Sequence, residues 1–163
     1  MISIVPLQQV LLDEVMKLSV ADDQIPYVGH IEELIRASFT KPDETQWVIC
    51  RNNFPVGFYI LDAAYARNYS FCPEGSIGLR SFFVDVNHQG KGIAKKALEH
   101  ILKNYVQSSL HHSRTAELYL TVNCRNTLAY EIYIAVGFVD TKELYLGGAA
   151  GPQHIMRARG SVV

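Results

Sequence analysis

Gln89-Gly90-Lys91-Gly92-Ile93-Ala94 joins an apolar run, Leu79 to Val86, to a long amphipathic pattern, Ile93 to Val106. An apolar run, two glycines around a lysine and then a helical period predict a strand, a tight loop and a helix. Backbone N–H groups at such a helix N-terminus form a ready site for an anion, phosphate above all. The same glycines also suit a plain tight turn, so the loop alone leaves both readings open.

Downstream, Ala94, Ala97, Leu98, Ile101, Leu102 and Tyr105 fall on one helical face, and Lys95, Lys96, Glu99 and Lys103 on the other. His111-His112-Ser113-Arg114 is a polar break, and Ala116 to Val122 alternates as the next strand. Strand, crossover helix and strand predict a parallel pair with a right-handed connection. Asn126 to Val136 carries Ala129, Ile132, Tyr133 and Val136 at helical spacing, with Gly137 as its stop. Phe138 to Leu146 and Gln153 to Arg159 read as strands joined by a glycine-rich turn.

Upstream, Ile2 and Ile4 suit a first strand, and Val10, Leu11, Val15 and Leu18 mark a helix through Gln8 to Val20. The stretch from Ala21 to Tyr27 is polar and broken by Pro26, and Ile31, Leu34, Ile35 and Phe39 mark a second helix. Thr45 to Arg51 and Val56 to Ala64 form a hairpin around Asn52-Asn53, and Arg67 to Ser76 reads as a connecting loop. Phe82, Phe83 and Val84 make the following strand apolar on both faces and therefore central. The element order is β-α-α-β-β-β-α-β-α-β-β. With no repeat or linker, residues 1–163 are expected to form a single mixed α/β domain.

At 163 residues, with 48% hydrophobic and 19% charged content, the chain has the composition of a globular protein. No apolar run is long enough for a membrane span, and the N-terminus lacks a signal-peptide pattern. Cys50, Cys72 and Cys124 are an odd number at no metal-ligand spacing, and the six histidines have none either. Reduced thiols and a cytoplasmic protein without a metal are expected. A net charge of -1 provides no footprint for nucleic acid.

A Walker A loop needs Gly-Lys before Ser or Thr, whereas Lys91 precedes Gly92 here. A dinucleotide fingerprint needs a third glycine where Lys95 stands. The chain instead resembles the GNAT superfamily of N-acetyltransferases. Gln89 to Ala94 matches the Q/R-x-x-G-x-G/A signature, and Asn126 to Phe138 matches N-x-x-A-x-x-x-Y-x-x-x-G-F, over an order of elements that covers nearly the whole chain. The resemblance implies a GNAT-like fold: a central mixed, mostly antiparallel sheet with a parallel β-α-β core, flanked by helices.

It also implies acetyl-CoA as cosubstrate. Backbone N–H groups of Gln89, Gly90, Lys91, Gly92, Ile93, Ala94 and Lys95 would hold its pyrophosphate, and Phe82, Phe83 and Val84 would offer strand backbone to the pantetheine arm. Asn126 would bind the pantetheine or pyrophosphate region, and Tyr133 would protonate the departing thiolate. On the residues alone, Asn126 equally suits a helix cap and Tyr133 a core position. The implied activity is acetyl transfer to a primary amine of a small molecule or peptide; a non-catalytic acyl-CoA sensor is the alternative. A carboxylate or a water chain would take the amine's proton, with Asp62 and Glu74 the candidate side chains.

Gln24-Ile25-Pro26-Tyr27-Val28 and Leu79 to Asp85 resemble the spermine and spermidine acetyltransferase branch. In that branch an acidic residue often occupies the position of Arg80, which weighs against a polyamine. Asp22, Asp23, Glu32 and Glu33 in the early helices would favour a cationic amine. Assembly as a homodimer stays open.

Overall fold

The computed structural model describes residues 1–110 and 117–159. The polar break at His111-His112-Ser113-Arg114 and the strand start expected at Ala116 therefore lie outside the described residues. Seven strands are hydrogen-bonded in the order β1-β2-β3-β4-β5-β7-β6: β1 (Ile2–Pro6), β2 (Glu44–Arg51), β3 (Phe54–Asp62), β4 (Ile77–Val84), β5 (Glu117–Asn123), β6 (Val139–Tyr145) and β7 (Gln153–Arg159). The helices are α1 (Gln9–Met16), α2 (Ile25–Val28), α3 (Ile31–Ser38), α4 (Tyr65–Asn68), α5 (Ile93–Leu110) and α6 (Thr127–Val136). As expected, this is a mixed α/β arrangement in which β4 and β5 are parallel while β1/β2, β2/β3, β5/β7 and β6/β7 are antiparallel.

The contacts divide into two compact units, Met1–Asp62 with Leu79–Ala97, and Ala63–Gly78 with Leu98–Val163. In the first, β2 and β3 turn through Asn52 and Asn53, whose φ values of 50° and 69° are those of a type I′ hairpin. Trp47 stacks on Tyr59 across this hairpin, with ring centroids 6.4 Å apart and planes at 10°. Val15, Ile35, Val48, Phe58 and Phe83 form the core, and α3 turns Ile31, Ile35 and Ser38 into it.

Two expectations about this unit shift. The first helix stops at Met16 instead of reaching Val20, because Ser19 N donates to the buried Asp85 carboxylate at 2.9 Å and leaves the helical path. The stretch from Ala21 to Tyr27 is not simply a break. Asp22–Gln24 forms a 3₁₀ turn and Pro26 sits in the first turn of α2, where its missing N–H costs nothing.

In the second unit, β5 pairs with β7 from Glu117↔Arg159 to Asn123↔Gln153, and β6 follows at the edge. α6 ends at Gly137, as its sequence predicts. The stretch from Arg67 to Ser76 is a connecting loop from Tyr69 onward, as expected; its first two residues close the helical turn α4, and its aromatic residues build a core. Tyr65, Cys72, Tyr119 and Ile155 are buried, with Tyr69, Phe71 and Tyr145 packed against them; the Tyr65 and Tyr69 rings lie 4.5 Å apart. The tyrosines lack helical or strand periodicity because they serve one compact cluster rather than a face.

Candidate functional site

The glycine loop is built on a pinned strand end. Asp85, buried at the end of β4, accepts from Ser19 N at 2.9 Å and Asn87 N at 3.2 Å, and faces His88 Nδ1 at 3.1 Å. Asp85 N donates to Val56 O at 2.7 Å, and Val86 N to Ser19 O at 2.7 Å. Gln89 Nε2 then donates to Val84 O at 2.9 Å, closing the turn into the loop.

Gly90 and Gly92 have φ values of 78° and 75°, in the left-handed region, with open space where a Cβ would stand. Gly90, Lys91 and Gly92 are exposed, whereas Ile93 is buried and fixes the first turn of α5. Among the described residues, no backbone N–H from Gln89 to Lys95 donates to another group of the chain; the first to do so is Lys96 N, to Gly92 O at 3.2 Å. Left-handed residues interleaved along a loop turn successive N–H groups towards a common point, and the helix dipole adds to their field. Exposed Lys91 and Lys95 supply positive charge beside them. This donor set fits a pyrophosphate.

On β4, Phe83 and Val84 are buried, and Phe82 is half-buried against Tyr59 with centroids 6.2 Å apart. Between Arg80 and Phe82 stands a feature the sequence did not signal: Ser81 has a φ of 55°, a left-handed residue inside a strand. Such a residue breaks the pleat and re-aims the backbone groups around it, and it persists only where neighbours hold it. The parallel pairing of β4 with β5 runs over Ile77↔Leu118 and Gly78↔Tyr119.

Of the candidate bases, Asp62 is buried with its carboxylate engaged by Arg80, Nη1 to Oδ2 3.6 Å. Glu74, the other candidate, is exposed. Asp22, Asp23, Glu32 and Glu33 are all exposed, and Glu32 is paired with Arg36 at 2.9 Å. Val20, Ile25, His30 and Glu33 line a cavity of about 550 Å³ in this unit.

In the second unit, Asn126 occupies the N-cap position of α6, but its side chain makes no capping bond. Its backbone is used instead, N to Asn123 O at 2.9 Å and O from Tyr130 N at 3.1 Å. The capping alternative for this side chain is therefore gone. Tyr133 is half-buried, edge-on to Phe138, and its hydroxyl bonds to no described residue. Burial pushes its phenol pKa up, so the group is a proton donor and not a phenolate at neutral pH. Tyr130, on the same helix, instead donates to Asp140 at 2.9 Å.

Sequence reasoning also missed Asn123 and Arg125. Asn123 Nδ2 and Arg125 Nη2 both donate to Ala150 O, at 2.9 and 2.6 Å, and tie the β6–β7 turn to the start of α6. The available signal was a pair of polar residues at a strand end, ahead of a glycine-rich turn. Cys124 is half-buried, whereas Cys50 and Cys72 are buried and burial pushes their thiols up. Among the described residues there is no His, Cys, Asp and Glu cluster able to hold a metal, and no helix long and apolar enough to cross a membrane.

Residues 12–138 match the model of the acetyltransferase (GNAT) family. The chain is 29% identical over 138 residues to the uncharacterized N-acetyltransferase YbbJ of Bacillus subtilis, covering 83% of this chain and 84% of that one. It is 31% identical over 107 residues to the spermine/spermidine N(1)-acetyltransferase of the same organism, covering 61% and 68%. The fold is similar to that of spermidine N-acetyltransferase from Vibrio cholerae, solved in complex with CoA and spermine, with a TM-score of 0.68 and 20% identity over 98% of this chain and 95% of that one. With both signature segments and most of its length accounted for, the chain belongs to the acetyltransferase (GNAT) family.

Proposed function

We propose that this chain is an acetyl-CoA-dependent N-acetyltransferase that transfers the acetyl group to a primary amine of a small molecule or peptide by direct attack in a ternary complex. The observation that carries this reading is the run of N–H groups from Gln89 to Lys95 without a partner among the described residues. Gly90, Lys91, Gly92, Ile93, Ala94 and Lys95 hold the pyrophosphate through these groups, and the backbone of Phe82 to Val84 takes the pantetheine arm. A backbone amide of β4 near Ser81 polarises the thioester carbonyl. Asn126 offers its side-chain amide, which bonds to no described residue, to the same ligand.

A free amine with a pKa of about 10.4 is neutral only to about one part in a few thousand at pH 7, so its proton must be removed before attack. Glu74 or a water chain accepts it. The amine nitrogen bonds to the carbonyl carbon, the carbon–sulfur bond breaks, Tyr133 gives its phenolic proton to the sulfur, and the second proton shed by the nitrogen as the amide forms restores the Tyr133 hydroxyl. As for the acceptor, the polyamine-acetylating relatives support a cationic amine, while Arg80 on β4 favours one with fewer positive charges than spermine.

Release of free thiol, followed with acetyl-CoA and a panel of amines, tests the proposal. Amine-dependent release that is lost in Tyr133→Phe is the expected result. Coenzyme binding with no turnover on any amine would point to the acyl-CoA sensor instead.

A further inference from the structure

The side chain of Gln89 is not directed to the ligand its loop would hold. Gln89 Nε2 donates to Val84 O at 2.9 Å and to Gln24 Oε1 at 2.9 Å, and Gln89 Oε1 accepts from Gln24 Nε2 at 3.3 Å. Gln24 Oε1 accepts a second bond, from Ala21 N at 3.2 Å. Both hydrogens of Gln89 Nε2 and both lone pairs of Gln24 Oε1 are thus in use. Rotating either amide by half a turn would set nitrogen against nitrogen or oxygen against oxygen, so each amide fixes the other's orientation. A parallel tie runs beside this pair, where Ser19 N reaches Asp85 and Val86 N reaches Ser19 O. The segment from Ser19 to Gln24 is thereby fastened at both its ends to the residues that lead into the glycine loop.

We infer that Gln24 is a positioning residue for the coenzyme loop: acting through the paired amide of Gln89, it holds the start of the loop so that the following N–H groups converge on one anion. The inference rests on the reading of that loop as the pyrophosphate site. Without Gln24, the Gln89 side chain keeps only its bond to Val84 and gains rotational freedom. The loop must then be ordered by the ligand, and that ordering lowers affinity without altering any contact the ligand makes.

Titration calorimetry of coenzyme A into the wild-type chain, Gln24→Ala, Gln89→Ala and the double variant tests this. No binding to the wild-type chain overturns the pyrophosphate reading itself. Given wild-type binding, Gln24→Ala weakens it by about three- to tenfold, the loss expected from one or two net hydrogen bonds. The double variant binds no more weakly than Gln89→Ala, because Gln24 acts through that residue. In turnover, the loss falls on KM for acetyl-CoA and leaves kcat within about twofold. Gln24→Asn, which keeps the amide but retracts it by one methylene, repeats the measurement should the alanine variant fail to fold. Unchanged affinity in Gln24→Ala or Gln24→Asn, fully additive losses in the double variant, or a fall in kcat at constant KM each overturn the positioning role.

Discussion

Tyr133 stands edge-on to Phe138, with ring centroids 5.5 Å apart and planes at 71°, while its hydroxyl bonds to no described residue. The ring is held and the hydroxyl is left over. Tyr133→Phe keeps the packing and removes only the proton, so kcat should fall about a hundredfold or more while Tm and coenzyme affinity stay near those of the wild type. Burial raises the phenol pKa, and an acid must be protonated to act, so the wild-type kcat should show no decline attributable to this group up to about pH 10. A pH–rate profile with an alkaline limb near neutrality would assign the proton to another residue.

Gly90 and Gly57 separate two ways in which a glycine can be required. Alanine at Gly90 meets open space but must hold a φ of 78°, at a cost of about 1–2 kcal/mol in the loop conformation. Coenzyme A affinity should drop roughly tenfold, with little change in the rest of the fold. At Gly57 an added Cβ would stand 2.6 Å from the Phe83 carbonyl oxygen and 3.1 Å from Ile49 Cδ1. Gly57→Ala should therefore destabilise the fold by about 1–3 kcal/mol, read as a lower denaturation midpoint.

Arg80 bears on the acceptor. Arg80→Glu sets a carboxylate beside the buried Asp62 in place of the guanidinium, so the variant should melt several degrees lower, as expected for a loss of about 1–3 kcal/mol. If Arg80 disfavours multiply charged amines, the same variant should also raise kcat/KM for spermine relative to a monoamine. An unchanged ratio in the acceptor panel would remove Arg80 from specificity.

Asp140 gives the second unit a pH dependence. Burial pushes its carboxyl pKa up, but the Lys142 amide, the Tyr130 hydroxyl and the charges of Lys142 and His154 outweigh that, and the net shift is downward. A depressed carboxyl contributes stability that is present above its unfolded pKa and is lost as pH falls through the folded value. Asp140→Asn should lower Tm at pH 7 and narrow the gap between the wild-type and variant melting points as pH drops below the ordinary carboxylate range.

Much of this was legible where local chemistry decides. Asn52-Asn53 announced a turn and adopts it in the left-handed region, Gly137 ended its helix, and the Gln89 signature fell between strand and helix. What escaped depends on partners distant in sequence. Nothing at Ser81 distinguishes it from an ordinary strand serine, because its conformation is imposed by neighbours. Gln24 and Gln89 are 65 residues apart, and no periodicity marks two amides that will meet. The pairing of Asp62 with Arg80, 18 residues on, likewise carries no local mark.

The stack of Trp47 on Tyr59 has an optical consequence. Trp47 is the only tryptophan, and it lies in the first unit, whereas Tyr65, Tyr69, Tyr119 and Tyr145 cluster in the second. Fluorescence excited at the red edge, where only indole absorbs, reports on the β2–β3 hairpin, and near-ultraviolet circular dichroism in the phenol band is weighted towards the tyrosine cluster. One sample and two wavelengths thus follow the two units separately during denaturation, with no label introduced, and superposition of the two curves would mark a single cooperative transition.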